Sequence, residues 1–223
     1  MHDIVLYGHL SIDKIYTGFN LVESLGCIAN TWKALNKVNP NLSVDIEPTE
    51  IGEAIVYVDP QSSKRYSKAV LSKQVNQPTI KQSKISAVQY VNALRNTDFI
   101  KNLSGIVLAD VCTGAEIDYS ILDYIDILFV ADSEIGNVVD INKVPKSVLL
   151  IVHSPTKSYD NCGNNFDLPS EKLLSKVNVL GAGDIYMACY MNAYLNVDIR
   201  GHNGAKCLEY AHLTTTQILG ESA

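Results

Sequence analysis

Four short apolar runs constrain this chain more than any other feature of it. They lie at 3–8, 105–110, 125–131 and 147–153, and each is nearly free of polar interruption over the length of a strand. A strand with one wet face alternates apolar and polar residues, whereas near-continuous runs belong in a sheet covered on both faces, which is the parallel type. A fifth strand candidate lies at 87–91. Helical periodicity fills 26–37, 119–124, 182–195 and 203–219. This alternation predicts an α/β fold around a largely parallel sheet. In the helix at 182–195, Ile185, Cys189 and Asn192 share one side with Ala188 and Met191 beside them, so much of its surface is expected to be buried.

One segment departs from that plan. Residues 53–58 and 65–71 read as two strands around Asp59-Pro60-Gln61-Ser62-Ser63, an antiparallel hairpin. The polar stretch 72–86 after it reads as an exposed connection back to the main body.

At 223 residues the chain has room for one domain, 1–223, with a small appendage. Charged residues make up 19% and hydrophobic ones 47%, which excludes a disordered chain. The formal net charge of -6 removes the usual electrostatic drive for nucleic-acid binding, so no nucleic-acid partner is expected. No apolar run approaches the roughly 20 residues that span a bilayer, and Met1-His2-Asp3 lacks a secretory basic region, so no membrane partner and a cytoplasmic location are expected. Cys27, Cys112, Cys162, Cys189 and Cys207 are odd in number and never spaced as C-x-x-C; a reduced protein without a zinc knuckle is expected.

The sharpest local signal is Gly181-Ala182-Gly183-Asp184, set directly before an apolar helix. Glycines let the backbone turn and approach a ligand, and the unpaired N–H groups of a first helical turn form an anion hole. Asp184 beside them could accept a proton from an attacking hydroxyl. A helix cap would use the same residues, because a first-turn acid stabilises any helix.

Residues 178–193 resemble the second signature of the ribokinase-type carbohydrate kinases, the PfkB family, D-T-x-G-A-G-D followed by a helix rich in small residues. Three further stretches are similar in order and approximate spacing: Tyr7-Gly8-His9-Leu10-Ser11-Ile12-Asp13, then Leu25-Gly26-Cys27-Ile28-Ala29-Asn30 for the family's Gly-Gly-x-x-x-Asn, then Pro48-Thr49 through Asp59 to Lys64-Arg65-Tyr66. The resemblance implies a Rossmann-like sheet with helices on both faces and a small β-sheet lid, here 12–20 and 53–71, which would close over a sugar and could mediate a homodimer. It implies ATP and Mg²⁺ as cofactors and leaves a monovalent cation as a further candidate. Asp184 matches the catalytic base, Gly181, Ala182 and Gly183 the anion hole, and Asp13, Gly26 and Asn30 the substrate-binding positions.

Several positions depart from the family pattern. Its Asn-x-x-Glu appears as Ala131-Asp132-Ser133-Glu134, which keeps Glu134 as a candidate metal residue acting through water. The leading Asp-Thr becomes Asn178-Val179, and T-x-G-x-x-G becomes Val152-His153-Ser154-Pro155-Thr156-Lys157, leaving Asn178 and Ser154 as cofactor-binding candidates. Between Asn30 and Pro48 there is room for one short strand, at 42–46, so one sheet edge is expected to be trimmed. The expected activity is ATP-dependent phosphorylation of a hydroxyl on a sugar or sugar-like molecule. A nucleoside or hydroxymethylpyrimidine acceptor, and a non-catalytic sugar-binding or regulatory role, are the alternatives.

Overall fold

The computed structural model describes residues 1–59, 65–74, 77–173, 181–196 and 204–221. The expected apolar runs become the parallel strands β1 (His2–Thr17), β5 (Ser83–Val88), β6 (Ile106–Asp110), β7 (Ile127–Ala131) and β8 (Leu149–His153). Each sends alternate side chains to opposite sides. On β1, Ile4 and Leu6 join one core cluster while Val5 and Tyr7 join the other; on β7, Ile127 and Phe129 are divided from Leu128 and Val130 in the same way. Both faces are therefore dry, which is why these runs lack polar alternation.

Among the described residues the sheet is ten-stranded. Its order is β10-β9-β8-β7-β6-β5-β1-β3-β4, with β2 (Asn20–Cys27) on β1; β3 is Val44–Val58, β4 Arg65–Gln74, β9 Lys157–Asp160 and β10 Asn165–Asp167. From β3 through β1 to β8 the pairs are parallel, while β1–β2, β3–β4, β8–β9 and β9–β10 are antiparallel. Among the described residues three α-helices cover the first face: α1 (Ile28–Val38), α2 (Ala182–Leu195) and α3 (Gly204–Gly220). The second is covered by short 3-10 turns, Val91–Ala93, Asp98–Asn102 and Tyr119–Tyr124 among them. The helix expected at 119–124 is one of these; six residues begun by the Asp118 carboxylate on the Ser120 N–H are too few to sustain an α-helix by themselves. α2 packs against both α1 and α3 and is apolar nearly all round, so most of its surface is buried, as its pattern led one to expect.

β1 and β3 outrun the rest of the sheet. Pairing of β1 with β5 reaches Tyr7↔Val88, but its pairing with β3 continues to Thr17↔Val58. β2 adds to the freed edge of β1 and β4 to that of β3, so the expected hairpin is the outer half of a four-stranded projection. Its turn after Asp59, residues 60–64 and so Lys64, lies outside the described residues. Two expectations need correction. Residues 72–86 are not one loop, because β4 runs to Gln74 and β5 begins at Ser83. The strand at 42–46 is the start of the long β3: the projection needs a partner for β1, and β3 supplies it.

Chain order fixes where a ligand can enter. From β1 the chain passes through α1, on the first face, to β3; on the other side of β1, β5 leads through 3-10 turns on the second face to β6. Connections leave β1 and β5 on opposite faces, so a crevice opens between their carboxyl ends, where open α/β sheets bind ligands.

Candidate active site

α2 starts at that crevice. Gly181 takes a left-handed conformation at φ 74° to turn the chain into the helix. The backbone requires glycine there, and a Cβ would also crowd the Asn30 amide, 3.2 Å from its Nδ2. Ala182, Gly183 and Asp184 then occupy the first turn, where backbone N–H groups precede the first helical bond, Ile185 N–H to the Gly181 carbonyl at 2.9 Å. This arrangement suits an anion at the positive end of the helix dipole.

Asp184 is 2% exposed and several donors converge on it. Asn30 Nδ2, from the first turn of α1, donates to Oδ2 at 3.0 Å. Oδ1 accepts from Gln89 Nε2 at 3.0 Å and from the Tyr90 hydroxyl at 2.8 Å. Gln89 Nε2 also donates to Thr31 Oγ1 at 2.6 Å, and that hydroxyl donates to the Asp184 carbonyl at 3.4 Å. Burial and the nearby Asp184 charge push the Tyr90 phenol well above its usual ionisation range, so it stays protonated and donates.

A cleft of about 720 Å³ opens above these groups, lined by Asp13, Asn30, Glu134, Gly181 and Asp184 from the sequence-derived set. His9, Glu53, Tyr66 and Tyr90 also line it. Asp13 reaches the cleft from the base of the projection and is held by the Ser11 hydroxyl, which donates to Oδ1 at 2.6 Å. Gly26 lies beneath it on β2, where any Cβ would run into both Asp13 carboxylate oxygens. The cleft thiols are poor nucleophiles: burial pushes Cys27 and Cys112 up to about 12.

The other candidates are placed as follows. Glu134 is buried at the cleft, with Oε2 accepting from the Ala131 N–H at 3.0 Å. Ser154 is not among the lining residues; its hydroxyl closes the turn after β8, accepting from Lys157 N–H at 3.1 Å and donating to the Lys157 carbonyl at 3.2 Å. Asn178 lies outside the described residues. No group of three or more His, Cys, Asp or Glu side chains able to hold a metal occurs among the described residues, and no described helix is long and apolar enough to cross a membrane. Sequence reasoning passed over Gln89 and Tyr90 because 87–91 read as strand throughout. β5 ends at Val88, and the usable signal was their place at the carboxyl end of a parallel strand.

A scan against protein-family models finds no match, and a search of curated proteins finds no relative. Solved structures do match. An adenosine kinase from Sinorhizobium meliloti is similar with a TM-score of 0.72 at 14% identity, covering 98% of this chain and 94% of that one. A pyrophosphate-dependent kinase in the ribokinase family, in a sulfate complex, gives 0.70 at 11% identity, with 97% and 95% covered. A ribokinase from Arabidopsis thaliana, complexed with ribose and ATP, gives 0.64 at 15% identity, with 98% and 93% covered. The chain has the ribokinase-like fold.

Proposed function

We propose that this chain, folded as the ribokinase-type kinases are, is a phosphotransferase that moves a phosphoryl group onto a hydroxyl of a sugar or nucleoside. The observation that carries the reading is Asp184, a buried carboxylate in the first turn of α2, facing the same cleft as Asp13 and Asn30. Asp13 and Asn30 orient the acceptor, and Gly26 leaves room for the Asp13 carboxylate. Asp184 takes the proton of the attacking hydroxyl, and the backbone N–H groups at Gly181, Ala182 and Gly183 stabilise charge on the transferring group. Holding acceptor and base in one geometry supplies much of the rate. The four-stranded projection, which contains the described parts of the lid expected at 12–20 and 53–71, acts as the lid that excludes water.

ATP is the donor in this reading, with Mg²⁺ on its phosphates. The chemistry of the cleft suits that ion: Glu134 offers a hard carboxylate oxygen and would hold it through water, while Mg²⁺ supplies charge neutralisation when bound. A second donor, pyrophosphate, is worth assaying because the Ser154 hydroxyl is engaged in its own turn.

The test is to incubate purified protein with Mg-ATP or Mg-pyrophosphate and a panel of ribose, fructose, myo-inositol, adenosine, inosine and hydroxymethylpyrimidine. Acceptor-dependent product release is expected, falling by orders of magnitude in Asp184→Asn. An unchanged rate in that variant removes Asp184 from the mechanism. Calorimetric binding of an acceptor, with no binding of either donor, overturns the kinase reading in favour of a binding protein.

A further inference from the structure

Beside the proposed base lies a pair of residues that the transfer chemistry does not use. Among the described residues Tyr90 is one of two non-glycine residues at positive φ, with φ 54° and ψ 46°. A side chain disfavours this conformation, and residues held in it against that preference concentrate at functional sites. Its holder is Asp110, buried at the end of β6, whose Oδ1 accepts from the Tyr90 N–H at 2.5 Å. On the other side Gln89 N–H donates to the Tyr7 carbonyl at 2.8 Å, anchoring the preceding residue to β1. With its backbone fixed at both places, Tyr90 turns back over the crevice and delivers its hydroxyl to Asp184 Oδ1 at 2.8 Å. Glycine at position 90 would relieve the backbone and lose the phenol.

We infer that Asp110 and Tyr90 form a strap that fixes the rotamer of Asp184, with Tyr90 a positioning residue for phosphoryl transfer and Asp110 the residue that sets Tyr90. The inference rests on the reading of Asp184 as the base. The surrounding groups suit it. Burial and the Asp184 charge raise the Asp110 carboxyl well above its usual range, so Asp110 does not readily add a second negative charge beside the base. Among the described residues, Tyr90, Asp110, Cys27 and Cys112 feel the Asp184 charge and are all shifted toward their neutral forms, while Glu134 acts on Asp110 and Asp13 faces the same cleft. Removing the phenol takes away a donor to the carboxylate and raises its pKa.

The test compares wild type with Tyr90→Phe, Asp110→Asn and Asp110→Leu, each checked for folding by circular dichroism and thermal midpoint. With an acceptor found in the panel, Tyr90→Phe is expected to lower kcat by about ten- to a hundredfold, leave acceptor KM within about threefold, and move the acid limb of kcat up by about one pH unit. Asp110→Asn keeps an oxygen for the Tyr90 N–H and should stay within a few-fold of wild type; Asp110→Leu should follow Tyr90→Phe. An unshifted acid limb with wild-type kcat in Tyr90→Phe overturns the strap, and a change confined to KM makes Tyr90 an acceptor contact instead. If wild type is inactive with every donor and acceptor, the kinase reading fails by itself. Carbon-13 NMR titration of the Asp184 carboxyl then tests the strap: its pKa rises in Tyr90→Phe, or the strap is wrong.

Discussion

At the scale of single residues, two glycines do work that no other residue can do. Replacing Gly181 by Ala forces a Cβ into a left-handed position and against Asn30 Nδ2. The backbone strain alone is about 1–2 kcal/mol, and pressure on the Asn30 amide that donates to Asp184 adds a loss of activity. Gly181→Ala should therefore lower the thermal midpoint by several degrees and reduce kcat at least tenfold, measured by calorimetry and a coupled assay. Gly26→Ala acts differently, because the added methyl runs first into the Asp13 carboxylate. It should raise acceptor KM by about tenfold or more with a smaller change in kcat, and an unchanged KM would separate Asp13 from acceptor binding. The same glycines show what residue identity discloses. G-A-G-D was visible as a loop before a helix, but that Gly26 makes room for Asp13 appears only once β2 pairs Gly26 with Ser11.

At the scale of elements, α2 is both the buried centre of the helical layer and the carrier of the base. Its stability and the site's integrity are therefore linked. His153 at the end of β8 stacks on Tyr186 of α2 at 4.8 Å, and Tyr186 meets His212 of α3 edge-on at 6.0 Å. Burial lowers the pKa of His153 to about 4 and that of His212 as well. The folded state thus prefers both rings neutral. Below pH 6.5 the unfolded chain binds protons that the folded chain resists, so the stability contribution is full above that pH and is lost as pH falls toward 4, by up to about 1.4 kcal/mol per pH unit for one such group. Thermal denaturation between pH 7 and 4 should show this slope, and His153→Phe, which keeps a ring on Tyr186, should flatten it. The pattern of α2 announced a helix with much of its surface buried; that α1, far back along the chain, and α3, just after it, are what cover it is decided by the fold.

At the scale of the whole molecule, the four-stranded projection overhangs a cleft whose floor is the β1–β5 crevice, with Gly52, Ala54 and Tyr66 from the projection among its walls. If this is a lid, saturating donor and acceptor together should slow amide hydrogen exchange in β2 and β4 more than either alone, and equal exchange in all states would make it a fixed wall. The residue pattern was enough for the parallel core, because strands dry on both faces must be continuously apolar, and for a helix starting at Ala182 with Asp184 in its first turn, because glycine and a first-turn acid act locally. Tertiary structure decided what the sequence left open: that β1 and β3 run on past the sheet, that the second face carries 3-10 turns, and that Gln89, Tyr90 and Asp110 gather around Asp184. Those outcomes depend on which strands become neighbours, a long-range choice made by packing, and no local pattern of residues encodes it.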